Sequence, residues 1–417
     1  MVKPTDEVSR AASAVSDQTL ARVTDVRKTV VSIWISGLSV LAATIALSWN
    51  GNPYWMDSKT YARCVAEGGW VVHPPGYLFF LALGRLLYSL GFVDSYRALQ
   101  VLTLLLTVGG ALMLFRLLRE VIDPVESSLL TFAFALSWIP LLINHTGTSP
   151  TADLFTSPLL LWSALRLTDR PSRMAAALFA GAIAICGGFR LATLVMMCPL
   201  LVGVLWANRR NGSWAWGALV VGGLLVGLVQ LITIHLMGGW DRYAYLLTKL
   251  QGINHVSSPI VVGFTQVSLL NLFRSLAWFA LATLGMWLAL CSLRLKKPWN
   301  FRHRMILNYG ILAAAGPLIA CSLYLCEHPG YLAPALPGFY LCVAVAWCRS
   351  DSGLKFARWP IVAILASLSL FFGLHYYRTP ATTWQAIANG NLLQYSADGA
   401  RNACYATTTA WLRATEL

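Results

Sequence analysis

Long apolar runs follow one another along most of this 417-residue sequence. A helix needs about 20 mostly apolar residues to cross the hydrocarbon core of a bilayer. The segments that meet or approach that length lie roughly at 29–48, 95–115, 127–143, 154–168, 174–189, 191–207, 215–237, 269–293, 305–325, 331–348 and 360–375. These runs predict an all-α, polytopic integral membrane protein with about 11 transmembrane helices.

The composition agrees with this class of protein. Hydrophobic residues make up 57% of the chain and charged residues 12%, whereas soluble domains carry about 25% charged residues. This balance excludes a disordered chain, a collagen-like chain and an ordinary cytosolic globule. A net charge of +14 could also indicate a nucleic-acid-binding protein, but the basic residues lie in short clusters between the apolar runs, as topology signals do. We therefore expect membrane lipid, and no nucleic acid, as a partner.

Lysine and arginine residues predict the orientation, because cytoplasmic loops carry an excess of them. The densest basic cluster, 294–304, is predicted to be a cytoplasmic loop, and the polar segment 1–28 is predicted to be a cytoplasmic N-terminal tail. An odd number of spans then places the polar segment 376–417 outside, as an extracytoplasmic C-terminal tail. The compact size and short loops favour a bacterial inner (plasma) membrane.

Whether the stretch 74–92 crosses the bilayer determines whether the number of spans is odd or even. If it crossed the bilayer, most later basic loops would face outward, and Arg85 would lie at mid-membrane depth, where a charge is costly. We therefore predict a helix over 77–91 that lies along the outer surface, within a long first outer loop of about 50–94. The transmembrane domain as a whole then covers 29–375.

Asp57 is the most informative residue of that loop, because it follows the first span by only a few residues and so lies close to the membrane surface. A carboxylate there can meet a lipid-borne donor and take a proton from an acceptor hydroxyl as a general base. It can also bind a divalent metal, although no ligand spacing calls for one and we assign no metal site. Alternatively, Asp57 is only the N-cap of a short helix over 58–67 that Gly68 and Gly69 end.

Four motifs carry a resemblance to a known family. They are Asp-Ser-Lys-Thr-Tyr at 57–61, His-Pro-Pro-Gly-Tyr at 73–77, Gly-Gly-Phe-Arg at 187–190, and His-Pro-Gly-Tyr-Leu-Ala-Pro-Ala-Leu-Pro at 328–337. Their order among the apolar runs resembles the C-type glycosyltransferases (GT-C), and it is most similar to the protein O-mannosyltransferase-like and aminoarabinose-transferase-like branches.

The resemblance implies a membrane glycosyltransferase that moves a hexose or pentose from a polyprenyl-phosphate donor to an acceptor hydroxyl on the extracytoplasmic face. Asp57 matches the first-loop aspartate of the family, which is the expected base. The sequence contains no glycine-rich phosphate loop, and a lipid-linked donor needs none because it already carries the activated bond. The resemblance does not identify the acceptor.

Asp153 and His73 join Asp57 in the predicted catalytic group. Asp153 lies in the second outer loop, where members of the family often carry another acidic residue; the alternative is an N-cap for a helix that starts at Leu154. His73 precedes two prolines, which force an extended chain. It therefore either hydrogen-bonds the acceptor or Asp57, or only orients the loop.

Two arginines are predicted to bind the donor phosphate. Arg190 lies at the outer end of two apolar runs, where a buried arginine is a functional-site candidate, and its planar guanidinium suits a phosphate. The alternative is that Arg190 reaches out to lipid headgroups. Arg274, near the outer start of another helix, is a second candidate for the same role.

Four residues complete the predicted site as substrate contacts, namely Tyr61, Tyr77, His328 and Tyr331. Tyr77 is first of all expected to be an interfacial aromatic anchor, with sugar stacking as its second role.

A polytopic transporter or flippase for a lipid-linked or small polar substrate is the main alternative, and a non-enzymatic scaffold with the same fold is another. A transporter is expected to place ionisable residues at mid-helix depth. In this sequence they cluster at the ends of the apolar runs and in the outer loops, which favours the enzyme.

Overall fold

The computed structural model describes residues 4–47, 56–70, 74–91, 94–209, 213–254, 260, 263, 265–293, 298, 300–324, 329–350 and 354–375. The regular elements of these residues are helices, as the sequence predicts. They are α1 (Pro4–Leu47), α2 (Met56–Glu67), α3 (Leu78–Ser89), α4 (Ser95–Leu118), α5 (Pro124–Ala135), α6 (Trp138–Thr146), α7 (Ala152–Asp169), α8 (Arg173–Phe189), α9 (Leu191–Met196), α10 (Cys198–Ala207), α11 (Ser213–Leu236), α12 (Trp240–Asn254), α13 (Gln266–Ser292), α14 (Phe301–Leu323), α15 (Ala335–Cys348) and α16 (Leu354–His375). Short 3₁₀ turns lie at Ser149–Thr151 and Pro329–Leu332.

Every predicted span coincides with one helix or with two consecutive ones. Within the described residues, 5 helices are long and apolar enough to cross a bilayer, or 6 if the bent pair α5–α6 forms one span. The chain is therefore an integral membrane protein, while the count of eleven spans stays a prediction. Shorter apolar helices such as α8, α10 and α15 fill the remaining predicted positions.

The two ends of the chain differ in what the structure describes. Residues 4–28 of the predicted N-terminal tail are helical and continue directly into the first span, so that α1 is 44 residues long. Its apolar part is Thr24–Thr44. The predicted C-terminal tail, 376–417, lies outside the described residues.

Three helix pairs pack over long stretches: α8 with α11, α14 with α15, and α4 with α7. Glycine makes the last of these contacts close, because a Cβ atom on Gly110 of α4 would overlap the backbone carbonyl of Leu154 on α7. Small residues at such crossings let membrane helices approach each other and gain van der Waals contact. The crossing therefore fixes α7, whose first turn carries Asp153, against α4.

The predicted surface helix is α3, which has 12 residues and is therefore about 18 Å long, short of the hydrocarbon thickness of about 30 Å. It buries Phe80 and Leu81 against the first outer loop. Arg85 of α3 donates hydrogen bonds to the carbonyls of Cys64 and Gly69. These bonds hold α3 against the carboxyl end of α2.

Polar side chains meet at the end of the bundle that is predicted to be cytoplasmic. Arg302 of α14 lies 2.6 Å from a Glu120 carboxylate oxygen and 3.4 Å from Asp169 at the end of α7. Arg166 lies 3.6 Å from Glu120. We call Glu120, Arg166, Asp169 and Arg302 the inner charge cluster. It places Arg166 at the same end of the bundle as Arg302, which belongs to the predicted cytoplasmic loop 294–304.

Candidate active site

The first outer loop forms a helix that carries Asp57. Because α2 begins at Met56, Asp57 lies inside the first turn and is not the N-cap of a helix over 58–67. Its side chain is half-buried. The helix ends at Glu67, and Gly68 follows with a φ of +73°, so the predicted glycine-based end is confirmed.

Two buried side chains of α2 attach this helix to the second outer segment of the chain. The hydroxyl of Ser58 donates to the carbonyl of Thr146. One turn further along, the Tyr61 hydroxyl lies 3.1 Å from the hydroxyl of Ser149. Ser58, Tyr61 and Ser149 are each at most 1% exposed. The first outer loop is therefore fixed to the segment that leads into Asp153.

Tyr77 enters the same cluster from the start of α3. Gly76 precedes it with a φ of +84°, a conformation that favours glycine, and a Cβ atom there would overlap Thr233 of α11. The Tyr77 ring lies 5.5 Å from the Tyr61 ring, edge to face. With only 6% exposure, Tyr77 is not an interfacial anchor, and that prediction is wrong because its ring packs inward onto Tyr61.

The tyrosine hydroxyls stay protonated at neutral pH. Burial raises the pKa of the Tyr77 hydroxyl to about 12, with Arg190 opposing the rise and Asp57 adding to it. Burial also raises the pKa of the Tyr61 hydroxyl well above its ordinary value, and Tyr77 and Asp57 reinforce this effect. Both hydroxyls can therefore donate hydrogen bonds. Tyr77 is an electrostatic neighbour of both Asp57 and Arg190, so it links the first loop to the arginine.

Arg190 occupies a break between two helices. Its backbone is extended, with φ −161° and ψ 103°, where α8 ends and α9 begins. The preceding Gly188 allows the close approach of Phe79 from α3, because a Cβ atom there would overlap that ring. The break turns the arginine side chain inward, where it is 4% exposed.

Asp153 is the partner of Arg190. One carboxylate oxygen pairs with the Arg190 guanidinium, and the other accepts a hydrogen bond from the Thr193 hydroxyl. Asp153 is fully buried in the first turn of α7, which starts at Ala152, so it is not an N-cap preceding Leu154. Each carboxylate oxygen of Asp153 therefore has a partner, and the pair holds the Arg190 guanidinium in one orientation.

The Arg190 guanidinium retains binding capacity on its other side. Its central carbon lies 4.6 Å from the centroid of the Tyr331 ring, in the range of a cation–π contact. Its Nε atom is buried and has no hydrogen-bond partner within the described part of the chain. A buried donor without a partner is costly, so this atom is suited to bind a ligand oxygen.

Arg274 lies on α13, which contacts the 3₁₀ turn that carries Tyr331. It is 8% exposed, and its guanidinium carbon lies 5.7 Å from the centroid of the Trp278 ring. Its Nε atom also has no hydrogen-bond partner among the residues that the structure describes. Arg274 therefore remains a second candidate, in addition to Arg190, for binding an anion.

The remaining predicted site residues, His73 and His328, lie outside the described residues. Across the described ranges, no group of three or more histidine, cysteine, aspartate or glutamate side chains is arranged to hold a metal ion.

Ser149 and Thr193 belong to the site but are absent from the sequence-based prediction, and Ser58 enters that prediction only as part of the motif at 57–61. Serine and threonine are common in loops and helix termini, so their identity alone gives no signal. Thr193 lies three residues after Arg190, on the helix that Arg190 caps. This spacing is the one sequence signal that points to Thr193.

The fold is similar to that of two solved structures of ArnT. The crystal structure of ArnT from Cupriavidus metallidurans bound to undecaprenyl phosphate matches 91% of this chain and 69% of its own, with a TM-score of 0.57 and 13% sequence identity. ArnT from the same organism in the apo state matches 85% of this chain and 68% of its own, with a TM-score of 0.52 and 15% identity. No family model and no curated protein matches the sequence. The likeness confirms the predicted GT-C-like fold.

Proposed function

We propose that this chain is a membrane glycosyltransferase that moves a sugar from a polyprenyl-phosphate donor to an acceptor hydroxyl, with Asp57 as the general base. The observation that carries the proposal is the attachment of the helix that bears Asp57 to the segment that leads into Asp153. The Tyr61 hydroxyl lies 3.1 Å from the Ser149 hydroxyl, and Asp153 pairs with Arg190. This arrangement supports a site that combines the proposed base with the proposed phosphate-binding cation. A likeness to ArnT bound to undecaprenyl phosphate supports a lipid phosphate as the ligand.

The proposed reaction needs these two charges on opposite sides of the sugar. Asp57 takes the proton of the acceptor hydroxyl, and the acceptor oxygen forms a bond to the anomeric carbon. The bond between that carbon and the phosphate oxygen breaks, and polyprenyl phosphate leaves with the bonding electrons. Direct displacement of this kind inverts the anomeric configuration.

Arg190 would stabilise the negative charge that develops on the leaving phosphate. Preorganised donors contribute most where charge develops during the reaction, because they need no rearrangement. Asp153 and Thr193 hold Arg190 in place, and its buried Nε atom remains available to a phosphate oxygen. Arg274 would supply a second positive charge.

The direct test is Asp57→Asn, which removes the base but preserves the shape of the side chain. We expect a loss of transfer of about 10²- to 10⁴-fold, the range that general acid–base groups contribute, with unchanged expression and unfolding temperature. Mass spectrometry of lipid-linked sugars in proteoliposomes and in the deletion strain measures the transfer. Glu67→Gln is the matched control, since Glu67 lies on the same helix but forms only an exposed ion pair with Arg63. Full activity of Asp57→Asn would contradict the mechanism.

A further inference from the structure

One hydroxyl connects the elements that carry the two acidic residues of the site. Ser149 places its hydroxyl 3.1 Å from the Tyr61 hydroxyl. It is 1% exposed. Tyr61 lies one turn after Asp57 on α2, and Ser149 lies four residues before Asp153.

The segment around Ser149 is itself fixed by hydrogen bonds. The hydroxyls of Thr146 and Thr148 lie 2.8 Å apart. The Thr151 hydroxyl donates to the Ile143 carbonyl at 3.2 Å, and the Thr151 amide donates to the Thr148 carbonyl at 3.1 Å. Because α7 begins directly after Thr151, Ser149 belongs to a rigid support that continues into the first turn of α7.

The attachment of α2 to this support is small. Ser58 and Tyr61 are three residues apart and so share one face of the helix, and each makes one hydrogen bond to the support. Asp57 is adjacent to the first of them. Small displacements of a catalytic group can cost about 10²-fold in rate, so the position of the proposed base depends on these contacts.

We propose that Ser149 is a positioning residue, whose hydroxyl binds Tyr61 and thereby fixes Asp57 at its working distance from the Asp153–Arg190 pair. The inference rests on the proposed function, because it assigns Asp57 a reaction to perform. Ser149 acts through Asp57 and does not bind the donor phosphate.

The experiment compares Ser149→Ala, Tyr61→Phe and the double variant in nanodiscs. Tyr340→Phe is the matched control, because Tyr340 is fully buried in the other hydrophobic cluster and donates to the Ala133 carbonyl at 2.8 Å. Amide hydrogen exchange is measured over 56–67. The kcat of transfer and the Kd for undecaprenyl phosphate are also measured, and their changes are compared. Donor lipids extracted from the source membranes serve for the transfer assay.

For Ser149→Ala we expect amide exchange in α2 to rise and kcat to fall by about 5- to 10-fold, as the loss of one buried hydrogen bond predicts. The Kd for undecaprenyl phosphate should stay the same. Tyr61→Phe should change amide exchange and kcat by similar amounts. The double variant should lower kcat no further than either single variant does, because both changes remove the same contact. Tyr340→Phe should leave amide exchange in α2 unchanged, and it should not lower kcat relative to the Kd for undecaprenyl phosphate.

Two results would overturn the inference. If exchange in α2 does not change in Ser149→Ala, the hydroxyl does not hold the helix. If the Kd for undecaprenyl phosphate weakens as much as kcat falls, Ser149 acts on the lipid and not through Asp57. Absence of transfer by the unaltered protein would instead contradict the proposed function, while the exchange measurement would still decide whether Ser149 holds α2.

Discussion

Arginine–carboxylate pairs occur at both ends of α7, and they differ in burial. At the end that is predicted to be extracytoplasmic, which we call the outer end, Asp153 and Arg190 are 0% and 4% exposed. At the inner end, Arg302 and Glu120 are 50% and 33% exposed. Exposed pairs contribute little to stability because water screens them, whereas a buried pair carries a desolvation cost that its mutual attraction barely offsets. The outer pair is therefore the one whose presence calls for a function.

The largest effect should follow from Asp153→Asn. This change leaves the Arg190 charge buried without its carboxylate, and removing one partner of a buried pair costs about 3–5 kcal/mol. Reversible unfolding of the purified protein in mixed micelles measures the free energy. A loss below about 1 kcal/mol, the range of exposed pairs, would show that the outer pair is solvated like the inner one.

A double variant separates stability from activity at the same pair. Asp153→Leu with Arg190→Met replaces both charges by apolar groups of similar size, which is often neutral or stabilising. We expect this variant to recover most of the stability that Asp153→Asn loses and yet to show no transfer of lipid-linked sugar. Recovered transfer would mean that the pair has only a structural role.

An intermediate effect is expected at high pH. Burial raises the pKa of Tyr77 to about 12, above the ordinary value of about 10, so the folded state favours the protonated hydroxyl. Its contribution to stability is complete below pH 10 and is lost as the pH rises through 12. Tyr77→Phe should therefore make the fall in unfolding temperature between pH 10 and 12 less steep. The exposed Tyr245, replaced by phenylalanine, shows whether burial is the cause.

The smallest effect should come from the inner charge cluster. Arg302→Gln removes contacts to Glu120 and Asp169 whose side chains are 33% and 28% exposed. We expect a loss of at most about 1 kcal/mol, reduced further at high salt, and transfer activity near that of the unaltered protein. If Arg302→Gln lowered the free energy of unfolding as much as Asp153→Asn does, the exposed and the buried ion pairs would not differ in their contribution to stability.

The sequence predicts a large part of this architecture because each span is a local property. An apolar run of sufficient length identifies a helix such as α4 or α11 without any knowledge of its neighbours. The expectation that Arg190 is a buried functional residue rests on the same local reasoning. The placement of Tyr61 and Asp57 on one short helix follows from their spacing.

The pairing of side chains from different helices is not local and could not be predicted in this way. Asp153 and Arg190 are 37 residues apart, and only the packing of α7 against α8 brings them together. The same holds for Ser149, whose role depends on the first loop folding over it. The prediction that Tyr77 is an interfacial anchor is wrong for a related reason. The position of an aromatic residue near a membrane surface favours an anchor, and the inward turn at Gly76 is not visible in the sequence.

The pairing of Arg190 with Asp153 also has a consequence for turnover. A cation that is already balanced by a neighbouring carboxylate attracts a further anion less strongly than a bare cation does. A lipid phosphate beside this pair would be aligned by hydrogen bonds and would meet one balanced arginine and the further charge of Arg274, not two bare cations. The spent carrier would then depart readily, so that one site could serve many successive donors.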